Sequence, residues 1–250
     1  MIDDPWFYVA AVFGVLIAGI SKAGFGGATG GLSVGLMALV VAPPQAAAVM
    51  LPILLVMDAI GLAVFRGKFD AAHLRVLLPA AVVGIVIGTL TFGWIDARWI
   101  RGIIGVEAIL FALDRFRRAD PARQPLAPSW RRGSFWGAVS GFTSFISHAG
   151  GPPLMQYLLP LQLDRVRMVG TTVAYFSVVN FTKLIPYGWL GLLDLGNLKT
   201  AALLLPVVPI GYWVGLKLLH GLNQRAFAAT LNWLLLLVGI KLLWDSIGGG

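Results

Sequence analysis

The chain has 250 residues, 58% of them hydrophobic and 12% charged, with a mean hydropathy of +0.84. Ordinary soluble domains carry about 25% charged residues, so a water-surrounded core is excluded and lipid is the expected solvent. Cysteine is absent, which excludes disulfides, thiolate metal sites and cysteine nucleophiles. The net charge of +8 does not signal nucleic acid, because the basic residues sit in short clusters between apolar runs, where membrane topology places them. Long unbroken apolar runs read as helices, since barrel strands would alternate in polarity over about ten residues.

The first segment is acidic, Met1-Ile2-Asp3-Asp4-Pro5-Trp6. It offers neither a basic leader nor a cleavage site, so the first apolar helix, near 6–21, is expected to stay. Residues 23–57 carry no formal charge, too long a run for one span of about 20 residues. Gly24, Gly26, Gly27, Gly30 and Gly31 break it. A short helix near 29–42 and spans near 44–66, 73–95 and 98–114 follow. Residues 115–132 form a polar linker in which Arg115, Arg117, Arg118, Arg123, Arg131 and Arg132 lie among Pro121, Pro125 and Pro128. A helix near 133–147 then leads to a second break, His148-Ala149-Gly150-Gly151-Pro152-Pro153. A short helix near 153–162 and spans near 166–190, 196–219 and 225–246 complete the chain.

The second half repeats the first. Pro79, Gly84 and Gly88 have the spacing of Pro206, Gly211 and Gly215, and Asp58 and Asn180 fall at corresponding points. The chain therefore divides into a first membrane repeat (1–114), a linker (115–132) and a second repeat (133–250). The arginine-rich linker should be cytoplasmic. If each broken segment is a re-entrant hairpin, each half crosses three times and the halves are inverted. Arg66, Lys68, Arg75, Arg165, Arg167, Lys217 and Arg225 then join the linker inside, leaving Arg98, Arg101, Lys199 and Lys241 outside. If each broken segment crosses once, four of the inner residues move outside and the positive-inside bias weakens. The preferred fold is an all-α integral membrane protein of two inverted repeats, each a re-entrant broken-helix hairpin plus three transmembrane helices.

Irregular backbone at membrane depth survives only where it is buried in protein or lines a cavity, and paired breaks in repeated transporters form substrate sites. Glycine permits close backbone approach, helix N-termini favour anions, and Pro152-Pro153 suits a helix start. The expected anion-binding set is Ser21, Lys22, Gly24, Gly26, Gly27 and Thr29 in the first break, with Ser144, Ser147, His148, Gly150 and Gly151 in the second. Ser21, Thr29, Ser144 and Ser147 would supply the hydroxyl donors. Ionisable residues within spans are costly and usually functional. Asp58, Asn180 and Lys183 are candidates for coupling or ion pairing, with Lys22 or Lys183 either pairing Asp58 or attracting substrate. Glu107 is a weaker candidate. His148 is read as an anion ligand, a proton carrier or a helix cap. A hydrolase is disfavoured because no carboxylate accompanies Ser144, Ser147 and His148. With three histidines, no metal or cofactor is expected.

The turn Ser21-Lys22-Ala23-Gly24-Phe25-Gly26-Gly27, the four-segment halves and the turn Ser147-His148-Ala149-Gly150-Gly151-Pro152-Pro153 resemble the TauE/SafE sulfite exporter family, also called TSUP. The resemblance covers essentially the whole chain. It implies two inverted repeats with the site between the hairpins, and transport of sulfite or related sulfur-containing anions, such as organosulfonates, across the bacterial cytoplasmic membrane. The expected partners are a small anion, protons as a candidate coupling ion, and the bilayer. Nothing in the sequence sets an oligomeric state. The rival readings are an anion channel and a permease for another small anion.

Overall fold

A computed structural model describes residues 2–25, 27, 31–117, 126–220 and 224–248. Among them there are helices and no strands. The helices are α1 (Pro5–Phe25), α2 (Gly31–Met37), α3 (Pro43–Val64), α4 (Ala71–Phe92), α5 (Ala97–Arg117), α6 (Trp130–Ser147), α7 (Gly151–Leu158), α8 (Arg165–Trp189), α9 (Leu195–Leu204), α10 (Val207–His220) and α11 (Gln224–Gly248). Local chemistry sets their starts. Asp70 accepts from the amides of Ala72 (3.0 Å) and His73 (3.4 Å), Asp164 from those of Val166 and Arg167, and Asp194 from that of Asn197. Each short carboxylate satisfies donors that a helix leaves open at its N-terminus.

Four helices are long and apolar enough to cross a membrane: Pro5–Gly24, Pro43–Val64, Ala71–Phe92 and Arg165–Trp189. The pair Leu195–Leu204 and Val207–Leu218, bent by 50°, makes a fifth if it is one span. The sequence predicts a single span near 196–219 there. The bend falls at Pro206, which has no amide hydrogen to donate, although Pro52, Pro79 and Pro186 sit within continuous helices. α5 is 21 residues long but carries Arg98, Arg101, Glu107 and Asp114, and it is not among the four.

The outer surface of the molecule is apolar, and its largely apolar interior also holds several polar groups. Val82, Val83, Val86, Ile87 and Leu90 of α4 face outward, while Ser21, Lys22, Asp58, Asn180 and Lys183 are buried. Trp94, Trp99, Trp130, Trp189 and Trp244 are exposed close to helix ends, the depth at which indole rings sit in membrane–water interfaces. The chain is a multi-pass membrane protein.

Both breaks fold back on themselves. Gly27 N–H donates to Ser21 O (2.9 Å), and Ser33 on α2 returns to lie against Gly14 on α1. In the second half Ser140 Oγ donates to Gly150 O (2.6 Å), and Tyr157 on α7 lies against Gly133 on α6. The two hairpins touch where Gly31 meets Ala149.

Packing then exchanges partners between the halves. α1 runs beside α10, with Gly19 on Gly211 and Gly24 on Gly215. α6 runs beside α4, with Gly141 on Ala81 and Gly84 on Ala138. The repeated Pro-x4-Gly-x3-Gly motif is thus a helix contact, made each time with the broken helix of the other half. Small residues serve this purpose in lipid, where close backbone packing replaces hydrophobic drive. Two further helix pairs join the halves of the chain. α5 packs antiparallel on α11, Gly102 near Ser246 and Ala108 near Gly239. α3 packs antiparallel on α8, Asp58 near Asn180 and Gly61 near Val173.

Candidate functional site

The most polar part of the interior lies where the two hairpins, α3 and α8 converge. α1 is helical through Phe25, further than expected, so Ser21, Lys22 and Gly24 belong to its last turns and not to the irregular segment. From there Lys22 Nζ reaches Asp58 Oδ1 on α3 at 2.6 Å and approaches Leu54 O (3.4 Å). Asp58 Oδ2 accepts from Asn180 Nδ2 of α8 at 2.7 Å. These two residues, 122 positions apart, therefore touch.

One turn along α8, Lys183 is completely buried. Its Nζ donates to Ser144 O (2.9 Å), to Ser144 Oγ (3.1 Å) and to His148 Nδ1 (2.6 Å). These partners are neutral acceptors. His148 closes α6 in the left-handed conformation (φ 55°), its amide donating to Ser144 O, and its ring lies 2.9 Å from Ala47 O through Nε2. A carbonyl only accepts, so Nε2 carries the hydrogen and Nδ1 presents a lone pair to Lys183. His148 is thus a helix cap and also a wedge between α3 and α8. A histidine protonated on both nitrogens could not keep the Lys183 contact.

A cavity of about 30 Å³ separates these groups, lined among the described residues by Lys22, Gly27, Ser144, His148, Asn180 and the ring of Phe176. Gly27 (φ 72°) turns its backbone towards that ring in a conformation that side chains avoid. Of the residues expected from sequence, Lys22, Gly27, Ser144, His148 and Asn180 line the cavity, while Asp58 and Lys183 contact its lining. Ser21 is buried beside it in α1. Ser147 Oγ donates to Thr143 O at 3.3 Å, within its own helix. Gly24 faces α10, and Gly150 packs on Ser140 and Ser144. Gly151 opens α7. Gly26 and Thr29 lie outside the described residues.

Two features escaped sequence reasoning. The donors around the cavity are side chains, whereas Pro152 and Pro153 leave the start of α7 short of amide hydrogens. Tyr187 and Tyr175 hold α6 to α8 by donating to Phe145 O (2.7 Å) and Gly137 O (3.4 Å). Their alignment with α6 depends on long-range packing, and no local motif marks it.

A family model described as Sulfite exporter TauE/SafE matches residues 11–242, which include both hairpins and every helix facing the cavity. The chain belongs to the TauE/SafE family. Members of this family are transporters and not enzymes. No curated protein and no solved structure matches the chain. In this TauE/SafE protein the buried Lys22–Asp58 pair has a direct energetic consequence. Breaking a buried pair from one side costs about 3–5 kcal/mol, whereas removing both charges is much cheaper. Asp58→Asn is therefore expected to unfold early in detergent, and the Lys22→Met/Asp58→Asn double variant to recover most of the loss. Thermal unfolding checks this, and a single variant as stable as the parent would contradict it.

Proposed function

We propose that the chain exports sulfite, or a related small sulfur-containing anion such as an organosulfonate, across the bacterial cytoplasmic membrane, with the anion held where the two hairpins meet. One observation carries this reading: Lys183, completely buried, is surrounded by neutral acceptors and shares two of them, Ser144 and His148, with the cavity. Lys22 is matched by Asp58, and Lys183 adds a cation that a bound anion would balance. Burying a charge without a partner is costly, and a small oxyanion meeting Lys183, Ser144 Oγ and Asn180 Nδ2 offsets that cost.

The size of the cavity favours alternating access over a channel. About 30 Å³ has room for about two waters, each needing roughly 10–15 Å³ of such space. An anion would enter only when the hairpins separate. The antiparallel meeting of α3 with α8 and of α5 with α11 supports an inverted relation between the repeats. A two-fold axis that exchanges antiparallel helices lies perpendicular to them, hence in the membrane plane. With Asp58 touching Asn180, such an axis would run through the polar cluster. Each hairpin, wedged against a helix of the other half, is then suited to rock between two sides.

Calorimetry on purified protein tests the reading, comparing sulfite, sulfate and a two-carbon sulfonate against Ser144→Ala and Lys22→Ala. Selective binding of a sulfur oxyanion that weakens in either variant supports it. No heat with any of the three removes sulfur oxyanions as the substrate. Asp58→Asn reports on coupling in the same preparations: transport at the parent rate with the parent pH dependence would exclude Asp58 from it.

A further inference from the structure

A wide cavity lies away from the lysines. It is about 780 Å³, mostly apolar, and formed by α5, α6, α7 and α11. Glu107 of α5 lines it and also lines a cavity of about 10 Å³ on the other side, against Gly31, Ala149 and Pro152 where the hairpins touch. Both carboxyl oxygens of Glu107 are buried and accept no hydrogen bond among the described residues. The polar group beside them is the hydroxyl of Thr143 on α6. That hydroxyl spends its hydrogen on Ala149 O, at 3.2 Å, so it can offer Glu107 only a lone pair.

Among the described residues, the other charges lining these cavities are already engaged. Arg98 donates to the carbonyls of Ser246 and Ile247. Asp114, two turns along α5, accepts from Gln156 Nε2 at 2.9 Å. α2 and α11 present Leu32, Gly35, Leu235 and Val238 to the smaller cavity, and α6 and α7 contribute no ionisable side chain to the larger one.

We propose that Glu107 is held as a carboxylic acid and that its proton sets the conformation of the second hairpin. As an acid, Glu107 donates to Thr143 Oγ, and Thr143 donates onward to Ala149 O. When the proton leaves through the wide cavity, a buried carboxylate remains with one donor within reach. Thr143 then turns its hydroxyl to Glu107, because an unpaired buried charge costs far more than one long neutral hydrogen bond. Ala149 O is released. Ala149 lies between His148, which contacts Lys183, and Gly150, which is tied to Ser140. Protonation at Glu107 is thereby linked to the packing of the hairpin on Gly31 and to the groups around the small cavity. This gives the exporter of the preceding section a proton-reading element, and it rests on that reading only for the identity of the anion.

Infrared difference spectroscopy on the whole purified protein at neutral pH tests the protonation state without any anion. Parent minus Glu107→Gln should show the carbonyl stretch of a buried carboxylic acid, and Thr143→Val should shift that band as its acceptor is lost. Absence of the band, or a band that Thr143→Val leaves in place, overturns the proposal. Proteoliposomes test the consequence. Sulfite efflux from the parent should carry protons, whereas Glu107→Gln should bind sulfite with parent affinity and move it without them. Proton movement retained in Glu107→Gln overturns the coupling. If sulfite neither binds nor moves, the transport reading fails, and the infrared result decides Glu107 by itself.

Discussion

Lys183→Met is expected to weaken anion binding on the order of 100-fold while leaving the stability of the empty protein nearly unchanged. The two effects separate because Lys183 contributes in opposite directions to folding and to binding. In the empty protein its amino group is desolvated among neutral acceptors. Methionine of similar length removes that burden, about 3 kcal/mol on insertion scales. It also leaves the Ser144 hydroxyl and His148 Nδ1 without a donor, at about 1–3 kcal/mol for a buried polar group. The terms nearly cancel. In the occupied protein the same substitution removes a charge-assisted hydrogen bond and the cation that balances the ligand. A hydrogen bond to a charged group contributes about 1.5–3 kcal/mol, and every 1.4 kcal/mol is tenfold in affinity. Sulfite calorimetry and thermal unfolding on one preparation read both quantities. Unchanged affinity with a large loss of stability would make Lys183 a structural strut and would remove the observation on which the anion site rests.

Gly141→Leu is expected to prevent folding, at a cost of ~3 kcal/mol or more by overpacking. A Cβ at residue 141 would sit 2.1 Å from Ala81 O, and one at residue 84 would sit 2.0 Å from Ala138 O. Both obstructions are backbone, so no rotamer change relieves them, and α4 and α6 would have to separate along their contact. Even Gly84→Ala should lower the unfolding temperature. Gly188→Ala is the matched control. It lies in α8 with nothing within 4 Å of the added carbon, and alanine gains up to about 1 kcal/mol of helix propensity over glycine. Size-exclusion profiles and unfolding temperatures of the three variants check the contrast. A folded, parent-like Gly141→Leu protein would mean that α4 and α6 do not pack as described.

How much of this was legible in advance differs between residues. The helices appear close to where the apolar runs place them, because each lipid-facing segment must satisfy its own backbone and present apolar side chains. Both requirements are written locally. The breaks were legible for the same reason, since glycines and prolines interrupt runs too long to be single spans. Their exact limits were not. α1 continues through Lys22 and Gly24 because Gly24 packs on Gly215 of α10, a partner far along the chain that supports the helix past its first glycine. The bend at Pro206 was missed because proline is equally compatible with a continuous helix, as Pro52, Pro79 and Pro186 show.

The candidate site divides along the same line. That Lys22, Asp58, Asn180, Lys183, Ser144 and His148 belong together follows from their polarity, since lipid forces such groups inward to a common interior. Which of them pair does not follow, because either lysine has a side chain long enough to reach Asp58. Only the tertiary structure gives Lys22 the carboxylate and leaves Lys183 with Ser144 and His148. The sequence by itself determined a membrane protein of apolar helices with one Gly-rich break in each half of the chain, because solvent and backbone satisfaction act within each segment. Only the tertiary structure decided that each half's glycine motif grips the other half's broken helix, and that the buried carboxyl group of Glu107 lies beside the contact of the two hairpins, because those contacts join residues whose separation along the chain carries no local signal.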